Sequence, residues 1–243
     1  MTSPRRPEIA ATPSRQTRAI VVLARAPSAP GKTRLTAGLT SDQARALREA
    51  LFLDTIDIAR SLDVAVTVAY TPDDARDEMA AMVGQSARSS VDRRPGAALR
   101  PQRGDDLGAR MLHAIIEAGA AGADTVVLIG SDLPTLPPSH LADAFTQLES
   151  GIDCVFGPAD DGGYHLVGVR RGLDVARVFT GISWGTNRVR QESLSAAQAA
   201  GRKTVLIDPW FDVDLFEDLA RVVSDARPGV AVRTRAWYNS FLL

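Results

Sequence analysis

Short apolar runs alternate along the chain with longer segments of helical periodicity. The runs at 19–24 (AIVVLA), 64–70 (VAVTVAY) and 125–130 (TVVLIG) are rich in β-branched residues. This pattern is typical of parallel strands that are buried on both faces. Between the first two runs, apolar positions recur at helical spacing and predict a helix capped by Ser41 or Asp42.

The alternation continues to near the carboxyl end. Further helices are predicted from Asp105 or Asp106 to 121 and over 73–83, 138–148, 187–200 and 215–224, and further strands in DCVFGPA, YHLVGV and TVLID. Residues 84–103 are typical of a long surface loop with room for one short strand. Strands alternating with helices predict an α/β fold, a Rossmann-like, mostly parallel sheet in three α/β/α layers. Such sheets bind ligands at the carboxyl ends of their strands.

Length and composition fit one large domain. The 243 residues are 45% hydrophobic and 23% charged, and the net charge of −1 implies no general affinity for nucleic acid or an anionic membrane. The single cysteine, Cys154, rules out an internal disulfide and a cysteine-based zinc site. No apolar run has the length of a membrane span, and the amino terminus lacks the apolar segment of a signal peptide. We therefore expect a cytoplasmic protein with a disordered tail (1–17), one main domain (18–226) and a carboxyl-terminal extension (227–243).

A basic loop follows the first predicted strand. Its sequence APSAPGKT satisfies a loose Walker A pattern, but Pro27 and Pro30 have no N–H to direct at a phosphate, and Gly38 interrupts the helix that should begin there. A P-loop is therefore disfavoured, and side chains of the loop are the better candidates for gripping phosphates. These side chains are Arg25, Lys32 and Arg34. A solvated basic loop is the alternative.

Carboxylates follow two of the predicted strands. Asp132 comes directly after a fully apolar strand, where its charge is costly unless it meets a cation, and Mg²⁺ or Mn²⁺ suits carboxylate and phosphate oxygens together. It can also simply cap the following turn. In the DVD motif, alternation in an extended chain would place Asp212 and Asp214 on one side. Asp214 can alternatively be the cap of the next helix.

The segment GPADDGGYHLVG combines tight turns with acidic groups. Gly162 and Gly163 permit close approach of the backbone to a ligand, and Asp160 and Asp161 lie beside them, followed by Tyr164. The same composition is typical of a β-hairpin tip.

Two further motifs carry candidate binding residues. In RPQRGDDLGARM, a Gln side chain can recognise a base edge and an Arg can hold a phosphate; the candidates are Gln102, Asp106, Gly108 and Arg110. In ISWGT, Trp184 and Thr186 are candidates for lining an acceptor pocket. Surface-loop chemistry explains the first motif equally simply, and Trp184 can belong to the core.

Taken together and in order, KTRL, QRGDDLGARM, GSDLPTL, GPADDGGYHLVG, ISWGT and DVD resemble a family of GT-A-like transferases. That family is glycosyltransferase-like and associated with radical-SAM proteins. It is similar to the guanylyltransferases of deazaflavin-coenzyme biosynthesis, which act on phospholactate or phosphoenolpyruvate. The resemblance covers about residues 18–224 and implies a nucleotide-diphospho-sugar transferase fold, a Rossmann-like sheet with an inserted β-hairpin region.

The resemblance also implies roles at the matching positions. Lys32 and Arg34 would bind the donor phosphates, Asp132 would bind the metal, and Asp212 or Asp214 would complete the metal site. The two glycines of GPADDGG would shape the acceptor side. APSAPGKTRL departs from the broader nucleotidyltransferase pattern, which has a Gly-richer loop with an Arg.

These expectations converge on nucleotidyl transfer from an NTP, with GTP as the first candidate, to a small anionic acceptor. Lys32 and Asp132 would act on the phosphates, and the acceptor would lie near 160–164. The alternatives are glycosyl transfer from a nucleotide-sugar, with Asp160 or Asp161 as the base, and a catalytically inactive nucleotide-binding protein. A homodimer is left open.

Overall fold

A seven-stranded mixed sheet organises the chain. The computed structural model describes residues 17–86, 96–172 and 174–242. The strands are β1 (Arg18–Arg25), β2 (Ala65–Thr71), β3 (Ala98–Pro101), β4 (Thr125–Gly130), β5 (Cys154–Pro158), β6 (Tyr164–Arg170) and β7 (Thr204–Leu206). Their order in the sheet is β3-β2-β1-β4-β6-β5-β7, and β6 alone runs antiparallel to its neighbours.

Helices cover both faces of this sheet. They are α1 (Ser41–Arg60), α2 (Arg76–Ser86), α3 (Leu107–Ala120), α4 (Pro138–Glu149), α5 (Ala176–Phe179), α6 (Val189–Ala199), α7 (Asp218–Ser224) and α8 (Val232–Phe241). Among the described helices, none combines the length and apolarity that crossing a membrane requires.

The buried strands send alternate side chains into two cores, as their apolar sequences predict. In β1, Ile20 and Val22 pack with α1, α2 and α4 on one face, whereas Val21 packs with α3, α5 and α6 on the other. Burying both faces requires helices on both sides, which explains the continuous apolar runs. The predicted three-layer α/β/α fold is confirmed.

The antiparallel strand places an extra turn at the carboxyl edge of the sheet. β5 runs parallel to β4, and the β5–β6 hairpin returns the chain between them. The turn at 159–163 therefore lies at the same edge as the carboxyl ends of β1 and β4, where α/β sheets bind ligands.

Element boundaries differ from the predictions where side chains hold turns together. α1 is capped by Thr40, not by Ser41 or Asp42, because the Thr40 hydroxyl accepts from the Gln43 amide and Gln43 accepts from the Thr40 amide. α7 begins three residues later than predicted. The carboxylate of Asp218 accepts from the amides of 214 and 215 and fixes a turn there.

Parts of the predicted tail and loop lie outside the described residues. Residues 1–16 of the tail do so, as do 87–95 of the loop. Within the loop, 98–101 form β3, the one short strand that was expected.

The carboxyl-terminal residues form a helix that packs back on the domain. A third core, distinct from the two on the sheet, joins α1, α7 and α8 around Leu47, Leu51 and Val213. Asp54 on α1 is 5% exposed and accepts from both the amide and the hydroxyl of Thr234 at the start of α8. Arg233 also donates to Asp54. A buried carboxylate at a helix amino terminus satisfies amide groups that lack partners within the helix.

We predict that Asp54→Ala lowers the free energy of unfolding by about 3 kcal/mol, because it leaves buried donors of α8 without an acceptor. The matched control is Asp57→Ala, which removes an exposed carboxylate bonded to the same Arg233 and should cost less than about 1 kcal/mol. Urea unfolding of both variants measures the difference. Equal losses would contradict this account of α8 docking.

Candidate functional site

Three carboxylates converge at the carboxyl edge of the sheet. One oxygen each from Asp132, Asp212 and Asp214 lies within 4.8 Å of the other two, and all three side chains are half-buried. Asp132 follows β4, and the amide of Val213 donates to its carbonyl over 3.0 Å. Val213 is fully buried in the third core, so its two neighbours point to the other side. The alternation predicted for the DVD motif is therefore present.

The DVD segment reaches this position by crossing the carboxyl edge. After β7, the chain continues beside β5, where the amide of Trp210 donates to the Pro158 carbonyl over 3.0 Å. Two residues later it reaches the end of β4. The side chain of Asp214 does not cap α7. The N-cap position of that helix is Glu217, which makes no capping hydrogen bond through its side chain. The alternative of a helix cap is thus excluded for Asp214.

Lys32 inserts its ammonium group between two of these carboxylates. Its Nζ donates to Asp132, to Oδ1 of Asp214 over 2.8 Å and to the Val213 carbonyl over 2.8 Å. Burial opposes the charge of Lys32, but the two carboxylates outweigh burial and raise its pKa above the ordinary value. The sequence analysis assigned Lys32 to the donor phosphates and Asp132 to the metal, and the structure brings the two side chains into direct contact.

The backbone at Lys32 has an uncommon conformation. Its φ is +49°, in the left-handed region that non-glycine residues rarely adopt and that costs about 1 kcal/mol or more. The Lys32 carbonyl accepts from the amide and the hydroxyl of Thr36, which fixes this geometry. Residues 26–40 form turns and α1 begins only at Ser41, so the loop lacks the helix that a Walker A loop requires.

Asp212 differs electrostatically from its two partners. Burial, followed by the charges of Asp132 and Asp214, raises the pKa of Asp212 well above its ordinary value. The three groups thus form a cluster in which like charges oppose one another.

The two arginines of the basic loop lie at different depths. Arg34 is largely exposed, and its Nη2 lies 3.4 Å from Asp214. The side chain of Arg25 crosses Gly31, where a Cβ would lie 2.9 Å from its Cδ. Arg34 is therefore beside the carboxylates, while Arg25 packs along its own loop.

The RPQRGDDLGARM motif acts in the described structure as a structural segment. Gln102 donates to the carbonyls of Ala24 and Ala69 near the ends of β1 and β2. Asp106 caps α3 by accepting from the amide of residue 109, and Arg110 donates to the carbonyl of residue 104. These bonds hold the motif at the carboxyl edge, and its nucleotide-binding role stays a prediction.

The turn at 159–163 is braced by arginines that the sequence analysis did not single out. Arg190 donates to the carbonyls of 159 and 163. Arg221 of α7 lies 2.7 Å from Asp160 and stacks on the ring of Phe211, 3.7 Å from its centre. No spacing in the sequence signals these contacts, because α7 and the turn are distant along the chain.

The acidic residues of this turn have partners of their own. Asp160 pairs with Arg221, and Asp161 accepts from the amide of Gly163. Gly162 has a φ of +89°, and a Cβ there would collide with the Asn187 carbonyl. The hairpin-tip alternative thus describes the local geometry well, and the tip still lies at the ligand-binding edge.

The two aromatic residues proposed for the acceptor pocket, Tyr164 and Trp184, pack against the core between the sheet and α3, α5 and α6. The Tyr164 ring contacts Phe156 edge-on, and its hydroxyl is buried. Trp184 lies against Gly108 of α3. Thr186 donates to the Ser183 carbonyl and accepts from the following segment. The core alternative considered for Trp184 therefore describes its position.

The close packing around Gly108 can be tested by adding a Cβ. A Cβ on Gly108 would lie 2.5 Å from both the Phe179 carbonyl and the Trp184 ring. We expect Gly108→Ala to lower the free energy of unfolding by about 1–3 kcal/mol through overpacking. Gly119→Ala, on the same helix with its nearest neighbour at 3.9 Å, should be neutral or stabilising by up to about 1 kcal/mol. Thermal or urea unfolding measures both; a stable Gly108→Ala variant would contradict the packing role.

A buried histidine below the turn predicts a pH-dependent stability. His165 lies 3.0 Å from the Pro158 carbonyl and 3.4 Å from His140, and burial, with a further contribution from His140, lowers its pKa to about 4. In the unfolded chain a histidine has a pKa of about 6.5, so the unfolded state binds more protons between these values. Stability is therefore complete above about pH 6.5 and falls as the pH drops towards 4.

Urea unfolding at pH 7 and pH 5 measures this effect. His165 should account for a loss of about 2 kcal/mol across that interval, since each pKa unit corresponds to about 1.4 kcal/mol. In His165→Gln the loss should shrink by this amount, even if the variant is less stable throughout. An unchanged pH dependence would contradict the assignment.

The fold is that of the nucleotide-diphospho-sugar transferases. A structure of a candidate nucleotide-diphospho-sugar transferase from Desulfovibrio desulfuricans G20 is 29% identical, with a TM-score of 0.79 over 93% of this chain and 95% of that one. A cytidylyltransferase from Leptospira borgpetersenii serovar Hardjo-bovis (strain JB197) is 14% identical, with a TM-score of 0.54 over 93% and 95%. The 4-diphosphocytidyl-2C-methyl-D-erythritol synthase from Anaerococcus prevotii DSM 20548 is 9% identical, with a TM-score of 0.54 over 92% and 96%. The last two similarities show the fold alone.

The chain belongs to the bacterial family described as "uncharacterized protein conserved in bacteria (DUF2064)", whose model matches residues 55–186. The matched region contains Asp132 and the turn at 159–163, whereas Lys32 and the DVD motif lie outside it. No curated protein matches the sequence.

Proposed function

We propose that the protein is a metal-dependent nucleotidyltransferase that joins a nucleoside monophosphate from an NTP to a small anionic acceptor. The observation that carries this proposal is the convergence of three carboxylates with Lys32 and Arg34 at the ligand-binding edge of the sheet. A set of carboxylate oxygens suits Mg²⁺ or Mn²⁺, which keep open positions for phosphate oxygens. The ion, when bound, would neutralise the charge that develops on the phosphates.

The chain's own residues supply positioning and charge. Lys32 and Arg34 bind the phosphates, and Gln102, held at the ends of β1 and β2, is assigned to the base. In this proposal the acceptor lies beside the turn at 159–163. Arg190 and Arg221 flank that turn. Arg221 is paired with Asp160, whereas Arg190 donates to backbone carbonyls, and its charge favours an anionic acceptor.

An anionic acceptor attacks phosphorus without a general base, so no residue of the turn has to remove a proton. Asp160 and Asp161 already bond to Arg221 and to the Gly163 amide, so each carboxylate has a partner within the protein. This arrangement favours nucleotidyl transfer over glycosyl transfer to a hydroxyl group.

Glycosyl transfer from a nucleotide-sugar is the second candidate. The description of the Desulfovibrio desulfuricans relative, at 29% identity, favours it. A nucleotide-binding protein without catalysis is the third. The link to radical-SAM proteins and the choice of phospholactate or phosphoenolpyruvate as acceptor stay predictions. We propose residues 18–226 as the transferase domain and 227–243 as an extension.

We predict that Asp132→Asn weakens binding of an Mg²⁺–nucleotide by at least about tenfold, because it removes a charged ligand oxygen that the proposed ion requires. Asp174→Asn, which changes an exposed carboxylate paired with Arg177, is the matched control and should bind as the wild type does. Calorimetric titration with the Mg²⁺ complexes of GTP, CTP, ATP and UTP measures both variants. Equal nucleotide affinity in Asp132→Asn and the wild type would refute the metal site.

The released product separates the three candidates. Nucleotidyl transfer releases pyrophosphate, glycosyl transfer releases a nucleoside diphosphate, and the inactive protein releases neither. A panel of NTPs and nucleotide-sugars, each with small phosphorylated or carboxylated acceptors, would be followed by anion-exchange chromatography. Release of a nucleoside diphosphate only in the presence of a nucleotide-sugar would replace our proposal with the second candidate.

A further inference from the structure

The ammonium group of Lys32 is fully hydrogen-bonded by the acidic cluster. An ammonium has three N–H donors, and Lys32 directs them at a carboxylate oxygen of Asp132, at Oδ1 of Asp214 and at the Val213 carbonyl. The side chain is 24% exposed, so this arrangement lies inside the site and not on its rim. Lys32 thus serves as a cation of the cluster.

The carboxylates that bind Lys32 are two of the three that would have to bind a divalent ion. Asp132 and Asp214 belong to the cluster whose oxygens lie within 4.8 Å of one another. An ion held by these oxygens would lie close to the ammonium, and the repulsion between a double and a single positive charge is twice that between two single charges. In a half-buried site this repulsion is poorly screened. The two cations therefore compete for the same oxygens.

We propose that Lys32 is an internal counter-cation that excludes a divalent ion from the carboxylate cluster until a nucleotide draws the ammonium away. This inference rests on the proposed function and adds an order of binding to it. The nucleotide phosphates accept the ammonium, the carboxylates become free, and the ion enters. Nucleotide and ion then bind with positive coupling, and the free ion alone binds weakly.

The loop allows the amine to move while its backbone stays in place. The Lys32 carbonyl is fixed by two bonds from Thr36, whereas the side chain has four flexible carbons beyond Cα. Arg34, which is largely exposed and lies 3.4 Å from Asp214, stands beside the path that incoming phosphates would take. A short swing of one side chain is therefore enough to exchange partners.

The first test measures the affinity for Mn²⁺ alone, without nucleotide, by electron paramagnetic resonance of the free ion. Lys32→Met should bind Mn²⁺ at least about tenfold more tightly than the wild type, because the competing cation is gone. Lys32→Arg, which retains the charge, should remain weak. Arg45→Gln is the control, since it removes an exposed positive charge of α1 that pairs with Glu78 and not with the cluster, and should change the affinity by less than about threefold.

The second test uses the wild-type protein and does not depend on how Lys32→Met folds. The chain has two lysines, Lys32 and the exposed Lys203, so labelling by acetic anhydride followed by peptide mass spectrometry reports both. Lys32 should react more slowly than Lys203 in the free protein. As Mg²⁺ is titrated to millimolar concentrations, labelling of Lys32 should rise while that of Lys203 stays constant.

The outcomes separate this inference from the proposed function. Equal Mn²⁺ affinity in the wild type and Lys32→Met, or Lys32 labelling that is unchanged when bound Mg²⁺ is demonstrated, would overturn the exclusion. The proposed function would still stand if Asp132→Asn lost Mg²⁺–nucleotide binding. If Asp132→Asn kept that binding, both would fall.

Discussion

Like charges held close together need a compensating cation, and this constraint governs the candidate site. Asp132, Asp212 and Asp214 lie within reach of a single ion, and burial together with the charges of its two neighbours raises the pKa of Asp212. Lys32 relieves part of this repulsion by bonding two of the three. Because the compensating charge comes from a loop after β1, the acidic cluster also fixes where that loop lies.

Backbone contacts hold the three carboxylates together. The bond from the Val213 amide to the Asp132 carbonyl aligns the DVD segment with the end of β4, and burial of Val213 turns the two aspartates to the same side. The segment is held from below by the third core, which includes α1, α7 and α8. The carboxyl-terminal helix therefore supports the site through packing, although it carries none of the proposed ligands.

Much of the fold was predictable because the central strands β1 and β4 are buried on both faces and each contains an uninterrupted apolar run. The run at 125–130 coincides with β4. The site was partly predictable for a related reason: Asp132 lies just after β4, and Lys32 lies in the loop that follows β1. The contact between Lys32 and Asp214 was not predictable, since it joins residues far apart in the sequence. The same holds for Arg221 and Asp160. The positions of Tyr164 and Trp184 were ambiguous for another reason. An aromatic ring beside a glycine turn fits a pocket and a core equally well, so the sequence alone did not decide between them.

The separation of Lys32 from its partners along the chain has a consequence for synthesis on the ribosome. Lys32 and Asp214 are 182 residues apart, so one member of the pair leaves the ribosome long before the other. Contacts between distant residues form late in folding, because a long loop must be closed first. Until residues 212–214 have emerged, the loop after β1 has no acidic partner from the DVD motif. The proposed site is thus completed only after the seven described strands of the sheet that carries it have been synthesised.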